Sequence, residues 1–283
     1  MKELDTVDAA PLPQVTVVVP NLNGAAFLAH ALGSLAAQEC PAIEVIVIDG
    51  GSTDGSVEIL RDWSQRHPIR WVSEPDSGQA SAINRGLTMA RGEVVSWLNG
   101  DDILLPRTAR IAAERFAADP SLDFLWGFCL VIDADGHSLY VQNPFVRTDL
   151  ADLRRHRNFV PQPGSFFRKS VVERFGRLDE SYRFMFDYEF FLRLAGATKA
   201  LFVPEVLACF RLHPSSKTGR SHREFLSEEW RAFRAHGGSV LSPFTLDLLR
   251  FHLVSRPLDR IKGPLRRALW AVMRLPGGSR IRP

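Results

Sequence analysis

Two kinds of hydrophobic spacing alternate along the first hundred residues. Short β-branched runs are followed by stretches in which apolar side chains return every three or four positions. Val15-Thr16-Val17-Val18-Val19, stopped by Pro20, has the unbroken apolarity of a strand buried on both faces. A turn at 20–24 follows, and Phe27, Leu28, Ala31, Leu32 and Leu35 then mark a helix that ends before Pro41. A second buried strand over 44–48 ends at Asp49, and Gly50-Gly51-Ser52-Thr53-Asp54-Gly55 leads into a helix over about 56–66. A third strand is predicted at 69–72, a third helix at 78–90, and a fourth strand at 93–98 that runs into Asn99-Gly100-Asp101-Asp102. This alternation predicts an α/β fold with a parallel sheet covered on both faces. In such sheets ligands bind beyond the carboxyl ends of the strands. Asn21, Asp49, Asn99, Asp101 and Asp102 all fall at those ends.

Past residue 120 the pattern changes. Residues 123–133 are rich in Phe, Leu, Trp and Val, and the turn Asp133-Ala134-Asp135-Gly136 leads to Leu139-Tyr140-Val141, which predicts a hairpin. Residues 171–175 and 188–195 have helical spacing. Ser221-His222-Arg223-Glu224 has capping-box spacing and opens a helix that closes near Gly237.

Length and composition narrow the class. At 283 residues the chain is long enough for one large domain or two smaller ones, and it can bury roughly 75% of its unfolded surface. No run approaches the ~18 consecutive apolar residues of a membrane span. The first 14 residues read as a loose leader without signal-peptide character, so a cytoplasmic protein is expected. Cys40, Cys129 and Cys209 are odd in number and widely spaced, as for reduced core residues. The net charge of +3 is uneven. From Arg250 onward nine Lys and Arg face Asp259 alone, a net +8, which leaves −5 on residues 1–249. That balance excludes nucleic acid as a general partner and gives the tail an affinity for something anionic, such as a membrane face.

Several chemistries can be set aside. GGSTDG lacks the G-x-G-x-x-G order and follows the second strand, not the first. The P-loop signature and the G-x-S-x-G elbow are both absent. The strand-end acids remain. Asp101 and Asp102 could hold a hard divalent cation, or Asp102 could cap a following helix. Asp49 is open between a turn residue and a group that reads a base.

Taken together, VTVVVPNLNGAAFLAHALGSLAAQ, IEVIVIDGGSTDGSVEIL and SEPDSGQASAINRGLTMARGEVVSWLNGDD resemble the family 2 glycosyltransferases of the GT-A fold, in versions similar to the bacterial branch that builds surface polysaccharides. The resemblance covers about residues 15–215. It implies a mostly parallel nucleotide-binding sheet flanked by helices, over 15–217, with a nucleotide half at about 15–105 and an acceptor half at about 120–217. A helical, basic extension would follow at 218–283.

Roles follow by resemblance. Pro20 and Asn21 would floor the nucleotide pocket, and Asp49 would accept the imino hydrogen of uracil or thymine. Asn99-Gly100-Asp101 lies where the family carries D-x-D, so Asn99 would bind the ribose and Asp101 a metal, Mn²⁺ or Mg²⁺, that bridges the diphosphate. Asp102 would support that site. Gln79 and Asn84 would face the donor pocket or lie on the helix surface. Asn99 replaces the usual first Asp, which removes a charge, and Gly50 replaces a common second Asp. The family's frequent A-R-N arginine falls at Ile83, so Arg85 is not its equivalent.

In the second half, Met185-Phe186-Asp187-Tyr188-Glu189 resembles the family's E-D-x-D segment, with Asp187 as catalytic base and Glu189 in support. From the residues alone, both acids could simply open a helix favourably. His213 could complete the metal site, while Arg211 and Lys217 could neutralise phosphate. Leu265, Ala268, Leu269, Val272 and Met273 form an apolar helical stripe, so residues 256–275 would lie on anionic lipid or pack on the catalytic domain. The function implied is inverting transfer of a sugar from a UDP- or dTDP-linked donor to a glycan or lipid-linked glycan. The alternatives are a catalytically degenerate binding protein and a sugar-phosphate nucleotidylyltransferase, whose Gly-rich basic signature after the first strand is missing.

Overall fold

A computed structural model describes residues 12–142, 149–214, 216 and 222–250, with 222–223 and 247–250 described by backbone alone. Lys217 and the stripe at 256–275 lie outside the described residues, as does most of the leader.

The β-branched runs are strands because both of their faces are buried. In β1 (Val15–Asn21), Val15, Val17 and Val19 point into one core while Val18 points into the other. Following α1 (Ala25–Ala36), β2 (Ile43–Asp49) divides in the same way, with Val45 and Val47 on one side and Ile46 and Ile48 on the other. Each such aliphatic side chain taken from water contributes about 1.5–3 kcal/mol. Next come α2 (Ser56–Arg66), β3 (Ile69–Ser73), α3 (Gln79–Met89) and β4 (Val94–Trp97). β3 is the edge and is only half-buried. All of these elements were predicted by the pattern.

The second half adds β5 (Ile103–Leu104), α4 (Thr108–Ala118), β6 (Phe124–Ile132), β7 (Ser138–Gln142), β8 (Ser165–Arg168), α5 (Lys169–Phe175), α6 (Phe186–Leu194) and β9 (Ala200–Arg211). The predicted hairpin is β6–β7. Strands β5, β8 and β9 are additions that the pattern does not announce. Among the described residues, nine strands form one sheet in the order β3-β2-β1-β4-β8-β6-β9-β5, with β7 paired to β6. The β3-β2-β1-β4 block is parallel, and β6 and β9 are parallel to each other; β8 is antiparallel to both β4 and β6. The fold is thus α/β with a mostly parallel sheet.

β1 lies between β2 and β4, so chain order reverses there. A crevice opens at such a switch point beyond the strand ends. Asn21 stands at the end of β1, beside Asp49 in register, and the 99–102 segment follows β4.

The core does not end at residue 217. Helices α7 (His222–Ala235) and α8 (Pro243–Arg250) return to the body, and Ala232, Phe233 and Phe244 are buried in the same cluster as Trp97 and Phe190. The Phe233 and Phe244 rings stack 4.0 Å apart. The three cysteines are free and buried, as expected. No helix among the described residues is long and apolar enough to cross a membrane.

Candidate active site

A cleft of about 1190 Å³ runs over the ends of β1 and β4 and reaches α6. Pro20, Asn21, Gln79, Asn99, Gly100, Asp101, Asp187 and His213 line it. It has three corners.

At the end of β1 and β2, Asn21 Nδ2 donates to Asp49 Oδ1 at 2.6 Å and to Ser52 Oγ at 3.3 Å. Its Oδ1 is buried with no hydrogen-bond partner among the described residues. A side chain at Gly24 would collide with that oxygen, and a Cβ at Gly100 would stand 3.0 Å from it. An unpaired buried acceptor is costly unless something else supplies the donor. Asp49 is the opposite case. It has no exposure, and its oxygens accept from Asn21, the Ser52 hydroxyl, the Gly51 and Ser52 amides and the Ser73 hydroxyl. Burial alone would raise its pKa, but these bonds outweigh burial and hold the carboxyl below its ordinary value. The expected contact from Asp49 to a base is therefore corrected: the carboxylate is saturated and sits behind the cleft wall. Asp54, given no role from the sequence, accepts from the Ala25 and Ser56 amides and so fastens the starts of α1 and α2.

Beyond β4, Asn99 is clamped between two neighbours. Its Oδ1 accepts from Gln79 Nε2 at 2.7 Å, and its Nδ2 donates to Asp102 Oδ2 at 2.9 Å. Asp102 does not cap a helix, because α4 begins only at Thr108. It is buried, and its other oxygen accepts the Arg211 amide at 2.9 Å. Burial and the neighbouring Asp101 charge push its pKa well up. Arg211 is likewise not free for phosphate. It is buried, and its guanidinium donates to the carbonyls of Asp101, Asp133 and Ala134 while covering the Phe27 ring. Its role is corrected to bracing the 101–102 backbone. Asp101 alone among these acids turns to the cleft, and its Oδ2 lies 2.9 Å from His213 Nε2. The His213 ring rests on Phe27 at 4.6 Å, which fixes its orientation. A carboxylate oxygen and an imidazole nitrogen side by side on the cleft wall are a donor set that could hold a divalent ion. A separate trio, the half-buried Asp133 with the exposed Asp135 and His137, sits on the β6–β7 turn.

The third corner holds Asp187, in the first turn of α6. Its Oδ1 accepts the Tyr188 amide at 2.7 Å, and no other side chain bonds it among the described residues. Desolvation, helped slightly by the Glu229 charge, pushes its pKa up to about 6. The backbone leading to it is fastened by Glu228 of α7, which accepts the amides of Arg183, Phe184 and Met185 at 2.8–3.1 Å. Glu229 is 2% exposed and held by both arms of Arg157, at 2.9 and 2.8 Å.

Two expected site residues face elsewhere. Asn84 uses its amide on Leu178 and Glu180, which ties the 178–180 loop to α3, and it does not line the cleft. Glu189 is buried against Arg193 at 2.9 Å and His236 at 3.0 Å, so it joins α6 to α7 and not to a ligand. Glu228, Glu229, Arg157 and Phe27 were missed. Phe27 showed only as part of the apolar face of a helix, and the other three carry no local pattern. The fold brings Phe27, Arg157 and Glu229 to the cleft and sets Glu228 behind the backbone that leads to Asp187.

The sequence profile described as "Glycosyl transferase family 2" matches residues 16–176. The chain belongs to that family. Among the relatives of this family 2 chain, a Nostoc sp. protein named an uncharacterized glycosyltransferase is 29% identical over 213 residues, covering 71% of this chain and 65% of its own length. A PGL/p-HBAD biosynthesis glycosyltransferase of Mycobacterium bovis is 30% identical, covering 64% of this chain and 69% of its own. Among solved structures, the Pyrobaculum calidifontis mannosyltransferase PcManGT, in complex with GDP-Man and Mn²⁺, matches with a TM-score of 0.67 at 22% identity, covering 94% of this chain and 80% of its own. S. aureus TarS 1-349 with UDP-GlcNAc gives 0.64 at 18% identity, covering 91% and 78%. These two likenesses show a GT-A fold.

Proposed function

We propose that the chain is an inverting glycosyltransferase that moves a sugar from a UDP- or dTDP-linked donor to a hydroxyl of a glycan or lipid-linked glycan. The observation that carries this reading is Asp187, a lightly hydrogen-bonded carboxylate with a raised pKa, in the same cleft as Asp101 and His213. An acceptor hydroxyl attacks the anomeric carbon and gives its proton to the free Asp187 oxygen. The bond from that carbon to the diphosphate breaks, and the diphosphate leaves with the electron pair. A pKa near 6 keeps Asp187 ionised at neutral pH yet basic enough to take the proton. A single displacement of this kind, with the hydroxyl entering opposite the leaving diphosphate, inverts the anomeric carbon. Glu229, whose charge helps to raise the Asp187 pKa, is locked on Arg157.

Asp101 and His213 would hold a divalent cation, which supplies charge neutralisation at the diphosphate when bound. Gln79 and Asn99 would orient the ribose, and Pro20 and Asn21 would floor the nucleotide pocket. The donors named for TarS and PcManGT support a nucleotide-sugar substrate, and Mn²⁺ in the latter supports the metal. The PGL/p-HBAD biosynthesis name of the Mycobacterium bovis relative supports a role in glycan biosynthesis. The basic stretch at 256–275, outside the described residues, would suit an acceptor held at an anionic membrane face.

Asp187→Asn tests the reading. Turnover of a UDP-sugar should fall about 10²–10⁴-fold while UDP affinity stays within about twofold. Retained turnover would remove Asp187 as base, and a wild type without turnover on any glycan acceptor would favour a binding protein.

A further inference from the structure

If Asp49 is saturated, another group must read the base. The end of β2 shows which one is placed to do so. Gly50 carries no side chain, and the space where one would begin is filled by Asp76: a Cβ at Gly50 would stand 2.9 Å from Asp76 Oδ2 and 3.2 Å from its Cγ. Gly51 is similarly close to Pro75, whose backbone nitrogen would lie 3.3 Å from a Cβ there. The two glycines thus let the 74–78 loop rest directly on the strand end. The Glu74 amide fixes the loop by donating to the Asp49 carbonyl at 3.0 Å, and the Gly50 amide donates to the Asn21 carbonyl at 2.8 Å. Asp76 therefore sits beside Asn21, and both line the cleft.

The Asp76 carboxylate is held by one oxygen only. Its Oδ1 accepts the Gly78 amide at 2.8 Å, while Oδ2 accepts no hydrogen bond from the described residues. The Asn21 Oδ1, by contrast, is buried between Gly24 and Gly100. Asp76 Oδ2 is thus an acceptor left to a ligand edge that presents a hydrogen-bond donor. A bare acceptor nitrogen facing Asp76 would meet repulsion instead.

We propose that Asp76, seated over Gly50, is the specificity carboxylate of the donor pocket and accepts the imino N–H of the nucleobase. This rests on the donor-site reading above. Uracil and thymine carry that hydrogen at N3. Cytosine has a lone pair there and is rejected by an unpaired charge. The Gly-Gly pair and the later Glu-Pro-Asp segment then form one device, in which the side chain missing from position 50 is replaced by one arriving from position 76.

The test is calorimetric titration of the full chain with UDP and with CDP, each with Mn²⁺, for wild type, Asp76→Asn and Gly50→Ala. Wild type should bind UDP at least tenfold more tightly than CDP, as expected for a hydrogen bond to a charged group. Asp76→Asn should lower that ratio about tenfold, because an amide can turn its NH₂ toward the cytosine nitrogen. Gly50→Ala should also lower the ratio, because its Cβ displaces the carboxylate without removing it. A wild type that prefers UDP, with the ratio unchanged in Asp76→Asn, overturns the role of Asp76 and leaves the donor site standing. A wild type that binds neither nucleotide overturns both.

Discussion

Asp49 and Asp187 are the same residue type at two ends of one cleft, and the fold treats them oppositely. Asp49 is fully buried yet sits below its ordinary pKa, because amides and hydroxyls from β1, the 50–52 turn and β3 converge on it. Asp187 rises to about 6, because desolvation raises it and the Tyr188 amide does little to offset that. The balance between desolvation and the supply of donors decides which form is favoured. The end of β2 uses its aspartate as a fastening, whereas the start of α6 leaves its aspartate under-solvated, as the proposed role of a base requires.

The largest effect expected from this contrast is on stability. Asp49→Ala leaves the donors of Asn21, Ser52 and Ser73 without an acceptor and should cost about 3 kcal/mol or more in urea unfolding. Asp187→Asn should be neutral or stabilising at pH 7, since it removes a charge held in a poorly solvated place. Equal destabilisation by both would break the comparison. A smaller effect is expected from Glu228→Ala, which frees three amides ahead of α6. It should cost about 1–2 kcal/mol and lower kcat with UDP affinity unchanged, because it loosens the backbone that carries Asp187. Parallel losses of kcat and UDP affinity would show that the fastening serves the whole cleft. The smallest effect is Glu229→Gln, which should move the acid limb of the rate profile down by less than about one unit.

The two acids also have opposite signs in pH titrations of stability. The contribution of Asp49, whose folded pKa is lowered, is present above its ordinary value of 3.8 and is lost as pH falls through the lowered one. Asp187, whose folded pKa is raised, favours the folded state more as pH falls through about 6.

The first half of the fold was legible because β1, β2 and β4 are unbroken apolar runs separated by helices of clear period. β9 was not, because Pro204 and Glu205 interrupt its alternation and its pairing with β6 shifts register near Gly127 and Phe128. In the site, Asp101, His213 and Asp187 could be named from motif position, and the fold brings all three to one cleft. The fates of Asp49, Arg211 and Asn84 could not be read, because each depends on partners far away in the chain, such as Ser73, Asp133 and Leu178. A motif places an acid at a strand end without revealing how many donors will already be waiting there.

The most direct measurement of the proposed role of Asp187 is the pH dependence of kcat/KM for the wild type, which reports the ionisation of groups in the free protein. With Asp187 as base, activity should fall on the acid side with a midpoint near 6. The limb should be missing from the residual activity of Asp187→Asn. A limb at the ordinary carboxylate value of about 4, or one near 6 that persists in Asp187→Asn, would contradict that role.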